Sequence, residues 1–307
     1  MGDFLRAVGE IATNESAYRN ALIAAVVLLL AASGEFVAEK AGTINISLEA
    51  MMLGGAYAAA LGQDLSGSVW VGLIAAVVAG VAVAWIQANM SHRLPADQFV
   101  VGLVLNVLIL GVVGFLAGQN EPTTNIVGRV RIPLLADIPL IGPALFDQPW
   151  VIYLAYPVVP LIWYLVYRTR WGLEVRAVGE DPNAADVSGL HVNKLRRQTI
   201  YLAGVTAGIA GAMLLFARSG RFEDSLVGGR GYIAIAAVIF GGWTLKGTVG
   251  GCVLFGIVGS FVLTIPGLGY ESIDPAFLAM APNVVTIVGM AIFATRVRQP
   301  SALARPF

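Results

Sequence analysis

Residues 168 to 198 read RTRWGLEVRAVGEDPNAADVSGLHVNKLRRQ, the one long polar passage in a chain that is otherwise nearly all apolar. Six of the chain's 19 lysine and arginine residues fall inside it. Strong hydrophobic runs flank it on both sides. Because a basic loop between two membrane spans stays on the cytoplasmic side, this stretch predicts a membrane protein with residues 168–198 inside the cell.

The middle of this loop has the pattern of a short helix. Asp181 is a favourable N-cap residue, and Pro182 suits the first helical position. Ala184 and Ala185 propagate a helix, and Gly189 would end it after about two turns. The sequence therefore predicts a short capped helix presented to the cytoplasm, which is a candidate docking element. The simpler alternative is an ordinary connecting loop.

Composition places the chain in the membrane. It has 307 residues, of which 57% are hydrophobic and 12% are charged, and its mean hydropathy is +0.78. Soluble domains carry roughly 25% charged residues. The formal net charge is zero, so nucleic acid is not an expected partner. The single cysteine, Cys252, excludes an internal disulfide and a cysteine metal cluster.

Nine apolar segments read as helices, since a span needs about 20 mostly apolar residues to cross roughly 30 Å of hydrocarbon. They are Tyr18–Glu35, Ile44–Leu61, Val69–Asn89, Phe99–Gly118, Trp150–Tyr167, Thr199–Phe216, Gly231–Trp243, Val249–Thr264 and Ala276–Ala294. The seventh is too short to cross alone, although residues from Leu226 onward could complete it. Its glycine-rich flanks indicate a broken or half-helix beside a transport path, with a short helix shielded by its neighbours as the alternative. We predict an all-α integral membrane protein in which residues 1–307 form a single transmembrane domain.

The distribution of basic residues orients this domain. With residues 168–198 inside, most of the lysine and arginine residues fall in inner segments. The N-terminus is then outside, the C-terminus is cytoplasmic, and residues 119–149 form a long outer loop. The run from Ile132 to Leu140 is rich in proline, isoleucine and leucine, which suits short interfacial helices. It is equally suited to receive an outside partner or to act as a simple lid.

Polar residues at the start of the second segment are candidate path residues. Asn45 and Glu49 are four apart, so in a helix they would share one face. A carboxylate that enters a bilayer is costly and indicates a functional site. The alternative is that Glu49 lies at the interface and pairs with Lys40 or with a partner chain.

Three further polar residues fall inside predicted spans. Asn106 lies near the centre of the fourth span, where it either lines a path or hydrogen-bonds to a neighbouring helix. Asn283 and Thr286 lie about one turn apart in the last span. Pairs of glycines four residues apart predict close helix contacts; they are Gly114 and Gly118, Gly204 and Gly208, and Gly247 and Gly251.

The motifs that would indicate catalysis do not occur. The chain has no phosphate-binding G-x-x-x-x-G-K-[ST] loop, so we expect no ATP hydrolysis by this chain itself. It also lacks G-x-S-x-G and H-E-x-x-H patterns, and no metal site is expected. Few ionisable groups fall inside the predicted spans, which argues against a proton-driven carrier.

Three motifs resemble those of permease subunits of bacterial ATP-binding-cassette importers, in the branch that handles ribose-type simple sugars and nucleosides. Residues 39–52, EKAGTINISLEAMM, are similar to the nucleoside branch's E-R-A-G-x-x-N-x-G-L-E-G-M-M, with departures at Lys40, Ser47 and Ala50. Residues 176–192, RAVGEDPNAADVSGLHV, resemble the family's cytoplasmic coupling loop. Residues 229–241, GRGYIAIAAVIFG, are very close to the family form.

The resemblance implies a transport subunit of the bacterial plasma or inner membrane, surrounded by lipid, that is not an enzyme. Together with a second, homologous permease, expected to be a different chain, it would form the path for nucleosides. A separate ATPase subunit would bind ATP and Mg. An extracytoplasmic lipoprotein would deliver the solute. The ATPase would dock on the coupling loop, residues 168–198, at Glu180, Asp181, Pro182, Asn183, Ala184, Ala185 and Gly189.

Alternatives for the substrate stay open. Residues 39–52 favour nucleosides over ribose-type sugars, whereas residues 55–57, GAY, resemble branched-chain amino acid permeases of the same superfamily. A stand-alone secondary carrier is the alternative from another class. Phe99, Phe240 and Trp243 are candidates to stack a base, although packing in the core or at the interface would explain each of them as well.

Overall fold

A computed structural model describes residues 14–94, 96–120, 122–138, 141–265, 280–293, 299–305 and 307. These residues form a helical bundle with one small antiparallel sheet. The helices are α1 (Glu15–Lys40), α2 (Leu48–Ser66), α3 (Val69–His92), α4 (Gln98–Gln119), α5 (Ile141–Phe146), α6 (Trp150–Tyr153), α7 (Val158–Arg168), α8 (Arg170–Glu180), α9 (Pro182–Val187), α10 (Val192–Leu214), α11 (Arg230–Phe240), α12 (Leu245–Thr264) and α13 (Ala281–Phe293). The strands are β1 (Arg129–Arg131) and β2 (Asp147–Pro149), and a π-helical turn, Leu215–Ser219, extends α10.

Six helical stretches among the described residues are long and apolar enough to cross a membrane. They are Glu15–Lys40, Val69–His92, Gln98–Gln119, Trp150–Arg168, Val192–Ser219 and Leu245–Val262. A multi-pass, mostly helical membrane protein is therefore confirmed. The predicted last span, residues 276–294, lies partly outside the described residues. The count of nine segments stays a prediction.

The first helix is longer than predicted. Its span was expected to end at Glu35, with residues 36–42 as a connection, but α1 continues to Lys40. Nothing in this segment breaks a helix before Gly42, which has a φ of 84° that ordinary residues rarely adopt. Glu35 and Glu39 are therefore carried inside the helix, where both are fully buried.

Helices α1 and α10 lie at the centre of the bundle. In the most apolar 18-residue stretch of each helix, 89% of the residues are buried in α1 and 78% in α10, but only 22% in α4. A helix that is apolar on every face suits a central position, because all of its sides then contact other helices. Helix α4 lies at the periphery and presents apolar side chains outward.

Small residues let α10 approach its neighbours closely. A Cβ atom added at Gly204 or Gly208 would collide with α3. One added at Gly251 would collide with Ala237 of α11, and one at Gly247 with Gly241, which directly follows α11. These two predicted glycine contacts are confirmed. The third shows no close helix contact in the described part of the chain, because a Cβ atom at Gly118 would meet nothing there within 4 Å and one at Gly114 would meet the Asp224 carboxylate at 3.3 Å.

The outer loop contains strands that an all-α prediction misses. Strand β1 pairs antiparallel with β2, with Arg129 opposite Pro149 and Arg131 opposite Asp147. The run after β1 forms turns instead of interfacial helices, and Leu134 has a φ of 68° that no α-helix accommodates. The loop's helix is α5, which follows this run, and residues 139 and 140 lie outside the described residues.

The predicted fifth segment, Trp150–Tyr167, is two helices. Helix α6 ends at Tyr153, and α7 starts after Pro157, which has no N–H to donate to a preceding turn. Pro160 lies in the first turn of α7, where a missing N–H leaves no helical bond unmade.

Contacts at the two ends of the chain define the faces of the bundle. Arg19 at the start of α1 forms a 3.0 Å ion pair with Asp147 of the outer loop. At the other end, the N–H of Ala302 donates to the carbonyl of Gly179, in the polar loop. The start of α1 therefore lies on the face of residues 119–149, and the tail lies on the face of residues 168–198. Which face is cytoplasmic stays a prediction.

Candidate functional site

Helix α11 is a half-helix. Its 11 residues span about 16 Å at 1.5 Å per residue, roughly half of the hydrocarbon thickness. It starts after Gly228 and Gly229, which have φ angles of 52° and 83°. It ends at Phe240 and not at the predicted Trp243, because Gly242 turns the chain with a φ of 63°. Its length confirms that it cannot cross the membrane alone.

The carboxylate of Glu49 caps this half-helix. One of its oxygens accepts the N–H of Gly229 and the other accepts the N–H of Gly231, each at 2.7 Å. The first N–H groups of a helix lack partners within the helix and carry a partial positive charge, so a carboxylate stabilises them. Among the described ion pairs none joins Glu49 to Lys40, and the alternative of that pairing is wrong.

Asn106 joins three segments. Its Nδ2 donates to the carbonyl of Ile46 at 2.9 Å and to the hydroxyl of Tyr232 at 2.7 Å. Its Oδ1 accepts the N–H of Ala50 at 2.9 Å. Of the two predicted roles for Asn106, hydrogen bonding to neighbouring helices is the one present in the structure, and it links α4 to the start of α2 and to α11.

Glu49, Asn106 and Tyr232 together form a polar cluster at the surface of the bundle, the capping cluster. Tyr232 is 43% exposed, and Glu49 and Asn106 are half-buried. Polar groups at membrane depth are costly against lipid, so they usually face protein or water. Tyr232 was missed from the sequence. Its position in residues 229–241, at the start of the predicted half-helix, was the available signal.

Asn45 does not share a helical face with Glu49, as the spacing had suggested. Helix α2 starts only at Leu48, so Asn45 lies in the preceding turn and is fully buried. Its N–H donates to Glu35 at 2.9 Å, and its side-chain oxygen accepts the Ser47 hydroxyl at 2.7 Å. Asn45 therefore stabilises the turn between α1 and α2.

Two buried carboxylates on α1 extend the polar interior. Glu39 accepts the indole N–H of Trp243, and Glu35 accepts the N–H of Asn45. The second oxygen of each is also buried, and the two carboxyl groups lie close enough to hydrogen-bond to each other. In the sequence, Glu35 is the last residue of a predicted span and Glu39 lies beyond it, so neither was predicted to be a buried site residue. The signal was their i, i+4 spacing around apolar residues.

The other predicted path residues, which are the three aromatic residues and the two in the last span, are not part of the capping cluster. Phe99 is 44% exposed on the first turn of α4. Phe240 packs edge-to-face on Phe255 at 6.2 Å, and Trp243 is buried beside Glu39. The Thr286 hydroxyl donates to a carbonyl of its own helix. The side chain of Asn283 lies outside the described residues.

The polar loop contains the predicted short helix, α9. The Asp181 side chain accepts the N–H of Ala184 at 3.0 Å, and Pro182 is the first helical residue. Gly189 follows with a φ of 87°, where the chain leaves the helix. The surface of α9 is largely exposed: only Ala185 is buried, and Val187 is 90% exposed.

A cavity of about 820 Å³ lies on the face of the outer loop. Its lining combines the end of α4 with residues 122–124 and 220–225. The N–H and the hydroxyl of Thr123 both donate to Asp64 at the end of α2. The lining includes the charged residues Arg221, Glu223 and Asp224, so a polar solute or protein surface fits it better than lipid.

Comparison with known families gives one match over most of the chain. The family is described as branched-chain amino acid transport system / permease component, and residues 17–295 match it.

Several relatives match nearly the whole chain. The nucleoside ABC transporter permease protein NupC of Lactococcus lactis is 35% identical, over 92% of this chain and 93% of that protein. The guanosine ABC transporter permease protein NupQ of Bacillus subtilis is 32% identical, over 93% of this chain and 94% of that protein. A Haloferax volcanii protein, named provisionally as a glucose ABC transporter permease, is 36% identical over 89% of this chain and 85% of that protein.

A solved structure has a similar fold. It is PsaBC from Streptococcus pneumoniae in complex with Fab, with a TM-score of 0.55 over 94% of this chain and 95% of that one. The two sequences are 15% identical, so this likeness concerns the fold alone.

Proposed function

Since the chain belongs to the branched-chain amino acid transport system permease family, we propose that it forms half of the translocation path of an ATP-binding-cassette importer for nucleosides. A second, homologous permease supplies the other half. A separate ATPase binds ATP and Mg and docks on α9. An extracytoplasmic lipoprotein delivers the solute on the face of residues 119–149.

The substrate class is inferred from the start of α11, where the carboxylate of Glu49 already caps the helix. In transporters, the free N-terminus of a half-helix attracts anionic groups of the substrate, such as a carboxylate. Here the carboxylate of Glu49 already accepts the N–H groups of Gly229 and Gly231. An amino acid carboxylate would have to displace it. A neutral solute would not, and this favours a nucleoside or a sugar over an amino acid.

Tyr232 favours a nucleoside over a sugar. The residue is 43% exposed, and Asn106 donates a 2.7 Å hydrogen bond to its hydroxyl, so the aromatic side chain is held in a fixed position beside the start of α11. Stacking of a base on an aromatic side chain contributes about 1–3 kcal/mol. The nucleoside and guanosine permeases among the relatives support the same choice. The relative named for glucose keeps a sugar as the second candidate.

The capping cluster also supports a partner permease. Glu49, Asn106 and Tyr232 all retain exposed area at the surface of a single chain. Lipid against these groups would be costly, whereas a water-filled path closed by a second permease would solvate them. A heterodimer is proposed because two different relatives from Bacillus subtilis, NupQ and NupP, are both named guanosine ABC transporter permease proteins.

The test is solute uptake by the complete importer. The chain is co-purified from its native membrane with its partners and reconstituted in liposomes, and uptake of labelled guanosine is measured with and without ATP. We expect uptake of guanosine to depend on ATP. Unlabelled nucleosides should compete with it, and leucine and glucose should not. Competition by leucine would contradict the argument from Glu49. Uptake by this chain alone without ATP would establish a secondary carrier instead.

A pair of variants tests the role of Tyr232. Tyr232→Phe keeps the ring, and Tyr232→Ala removes it. Because stacking needs only the ring, we expect guanosine uptake to survive in the first variant and to fall about tenfold in the second, which corresponds to the stacking free energy lost. Equal losses in both would show that the hydroxyl bond to Asn106, and not the ring, is what uptake requires.

A further inference from the structure

Arg196, in the second turn of α10, is a fully buried side chain on the face of the polar loop. Its Nε donates to the carbonyl of Ala41 at 3.1 Å, and its Nη1 donates to the carbonyl of Arg305 at 2.8 Å. A buried guanidinium is costly unless it is hydrogen-bonded. Arg196 therefore ties two segments to α10 that are far from it in sequence, the turn after α1 and the C-terminal tail.

The backbone of the tail, residues 299–305, contacts both the end of α8 and the turn after α1. The N–H of Ala302 donates to Gly179 and the N–H of Ala304 donates to Gly42, both at 3.0 Å. The hydroxyl of Ser301 donates to the carboxylate of Glu180 at 3.2 Å. One face of the tail thus contacts the end of α8, and its other contacts lie on the turn after α1.

The end of α8 is also packed directly on the end of α1. A Cβ atom at Gly179 would collide with the carbonyl of Lys40, so the two backbones touch. Helix α9 begins at Pro182, three residues later, with Asp181 as the shared cap. A displacement of α9 therefore acts on a junction that is held by backbone contact, by the tail and by Arg196.

The end of α1 also contacts the segment that follows the half-helix α11. Glu39, one residue before Lys40, accepts the indole N–H of Trp243, which follows α11. The other end of α11 is held by Glu49 of α2. Packed helices and hydrogen bonds of this kind are the physical means by which coupling passes between sites.

We propose that Arg196 and the tail form a clamp that fixes the ATPase-docking helix α9 to the end of α1, and that this clamp transmits movement of the ATPase to the half-helix α11. The inference rests on the proposed function. Arg196 contacts neither solute nor nucleotide in this arrangement, so it is a positioning residue. Loss of the Arg196 side chain should therefore lower the solute imported per ATP hydrolysed, while the ATPase still binds and still hydrolyses ATP.

The test compares four variants of the complete importer in liposomes: Arg196→Gln, Arg196→Lys, deletion of residues 300–307, and Arg197→Gln as the control. Arg197 follows Arg196 on the same helix but is half-buried and donates to Asn193 and Asn89 instead of the tail. The readouts are the amount of ATPase that co-purifies, the ATP hydrolysis rate, and the solute imported per ATP hydrolysed.

We expect Arg196→Gln and the deletion to assemble with the ATPase and to hydrolyse ATP, with the solute imported per ATP falling about two- to thirtyfold, the range for residues that modulate coupling. Arg196→Lys should restore part of the ratio, since an ammonium can serve one carbonyl but lacks the fork that serves two. Arg197→Gln should keep the wild-type ratio.

A wild-type ratio of solute to ATP in both Arg196→Gln and the deletion would overturn the proposal. If Arg196→Gln fails to assemble, the deletion decides, because it leaves every membrane helix intact. A wild-type importer without ATP-dependent uptake would instead refute the proposed function, so the two failures are distinguishable.

Discussion

Asn106 is a helix cap supplied by another helix. The third residue of α2, Ala50, has an N–H without a partner in its own helix, and the N-cap residue Ser47 makes no side-chain cap bond. The Ser47 hydroxyl donates to Asn45 instead. Asn106 takes over the capping role, and the same amide fixes Tyr232.

Replacement of Asn106 tests this role. Asn106→Leu leaves the N–H of Ala50 and the carbonyl of Ile46 without their partner. A buried polar group without a partner costs about 1–3 kcal/mol, so we expect a lower melting temperature of the purified complex and a loss of uptake. Val107→Leu is the control, because Val107 is adjacent and 73% exposed. An unchanged melting temperature in Asn106→Leu would contradict the capping role.

At the scale of elements, two short helices carry the proposed mechanism, and each has a cap that decides its geometry. Helix α11 is capped by Glu49, a residue 180 positions before Gly229. Helix α9 is capped by its own neighbour, Asp181. The local pattern of the sequence therefore predicted the cap of α9. It predicted α11 as a short or broken helix, but not that Glu49 caps it.

Contact between α11 and α2 requires a glycine at position 231. A Cβ atom there would lie 2.6 Å from the backbone of Glu49, so Gly231→Ala should push the two helices apart and abolish uptake. The matched control is Gly250→Ala in α12, where an added Cβ atom would meet none of the described residues within 4 Å. Alanine is the better helix former by about 1 kcal/mol, so the control should be as stable as the wild type or more stable. Thermal unfolding and uptake are the measurements. Normal uptake by Gly231→Ala would show that this contact is dispensable.

The cap of α9 should matter for the ATPase. Asp181→Ala removes the acceptor for the N–H of Ala184, which costs about 1 kcal/mol of helix stability. We expect about fivefold weaker association of the ATPase if the helix must be formed to bind it. Asp186→Ala, on the exposed side of the same helix, removes a charge but no cap. Binding to the purified ATPase distinguishes them, and equal affinities for the two variants would argue against a role of the cap.

At the scale of the whole molecule, the structure sorts the chain into two faces. The start of α1 joins the outer loop through Arg19 and Asp147, and the tail joins the polar loop through Ala302 and Gly179. Any correct topology must therefore place the start of α1 and the tail on opposite sides of the membrane. The excess of basic residues in 168–198 indicates that the face of the polar loop and the tail is the cytoplasmic one.

Labelling of single cysteines tests this orientation. Val187 is 90% exposed on α9, and Leu134 is 85% exposed in the outer loop. We expect Leu134→Cys to react with a membrane-impermeant maleimide in intact cells, and Val187→Cys to react only after the membrane is opened. The native Cys252 is fully buried, so the unsubstituted chain serves as the control. The reverse pattern would invert the topology.

The sequence by itself determined the features that depend on local composition and spacing. The membrane spans follow from length and hydropathy, and α9 follows from Asp181, Pro182 and Gly189 within nine residues. The half-helix follows from glycines at both ends of a short apolar run. The boundaries were less predictable, since α1 passes Glu35 and α2 starts after Asn45. Helical spacing cannot locate the turn that interrupts it.

The tertiary structure decided which residues act together. Glu49 meets Gly229, Asn106 meets Tyr232, and Arg196 meets the tail across more than 100 residues of chain in each case. Such pairs follow from how helices pack, and packing depends on small residues, crossing geometry and buried hydrogen bonds that no single segment encodes. For the same reason the buried Glu35 and Glu39 read as an ordinary helix end in the sequence and as part of the interior in the fold.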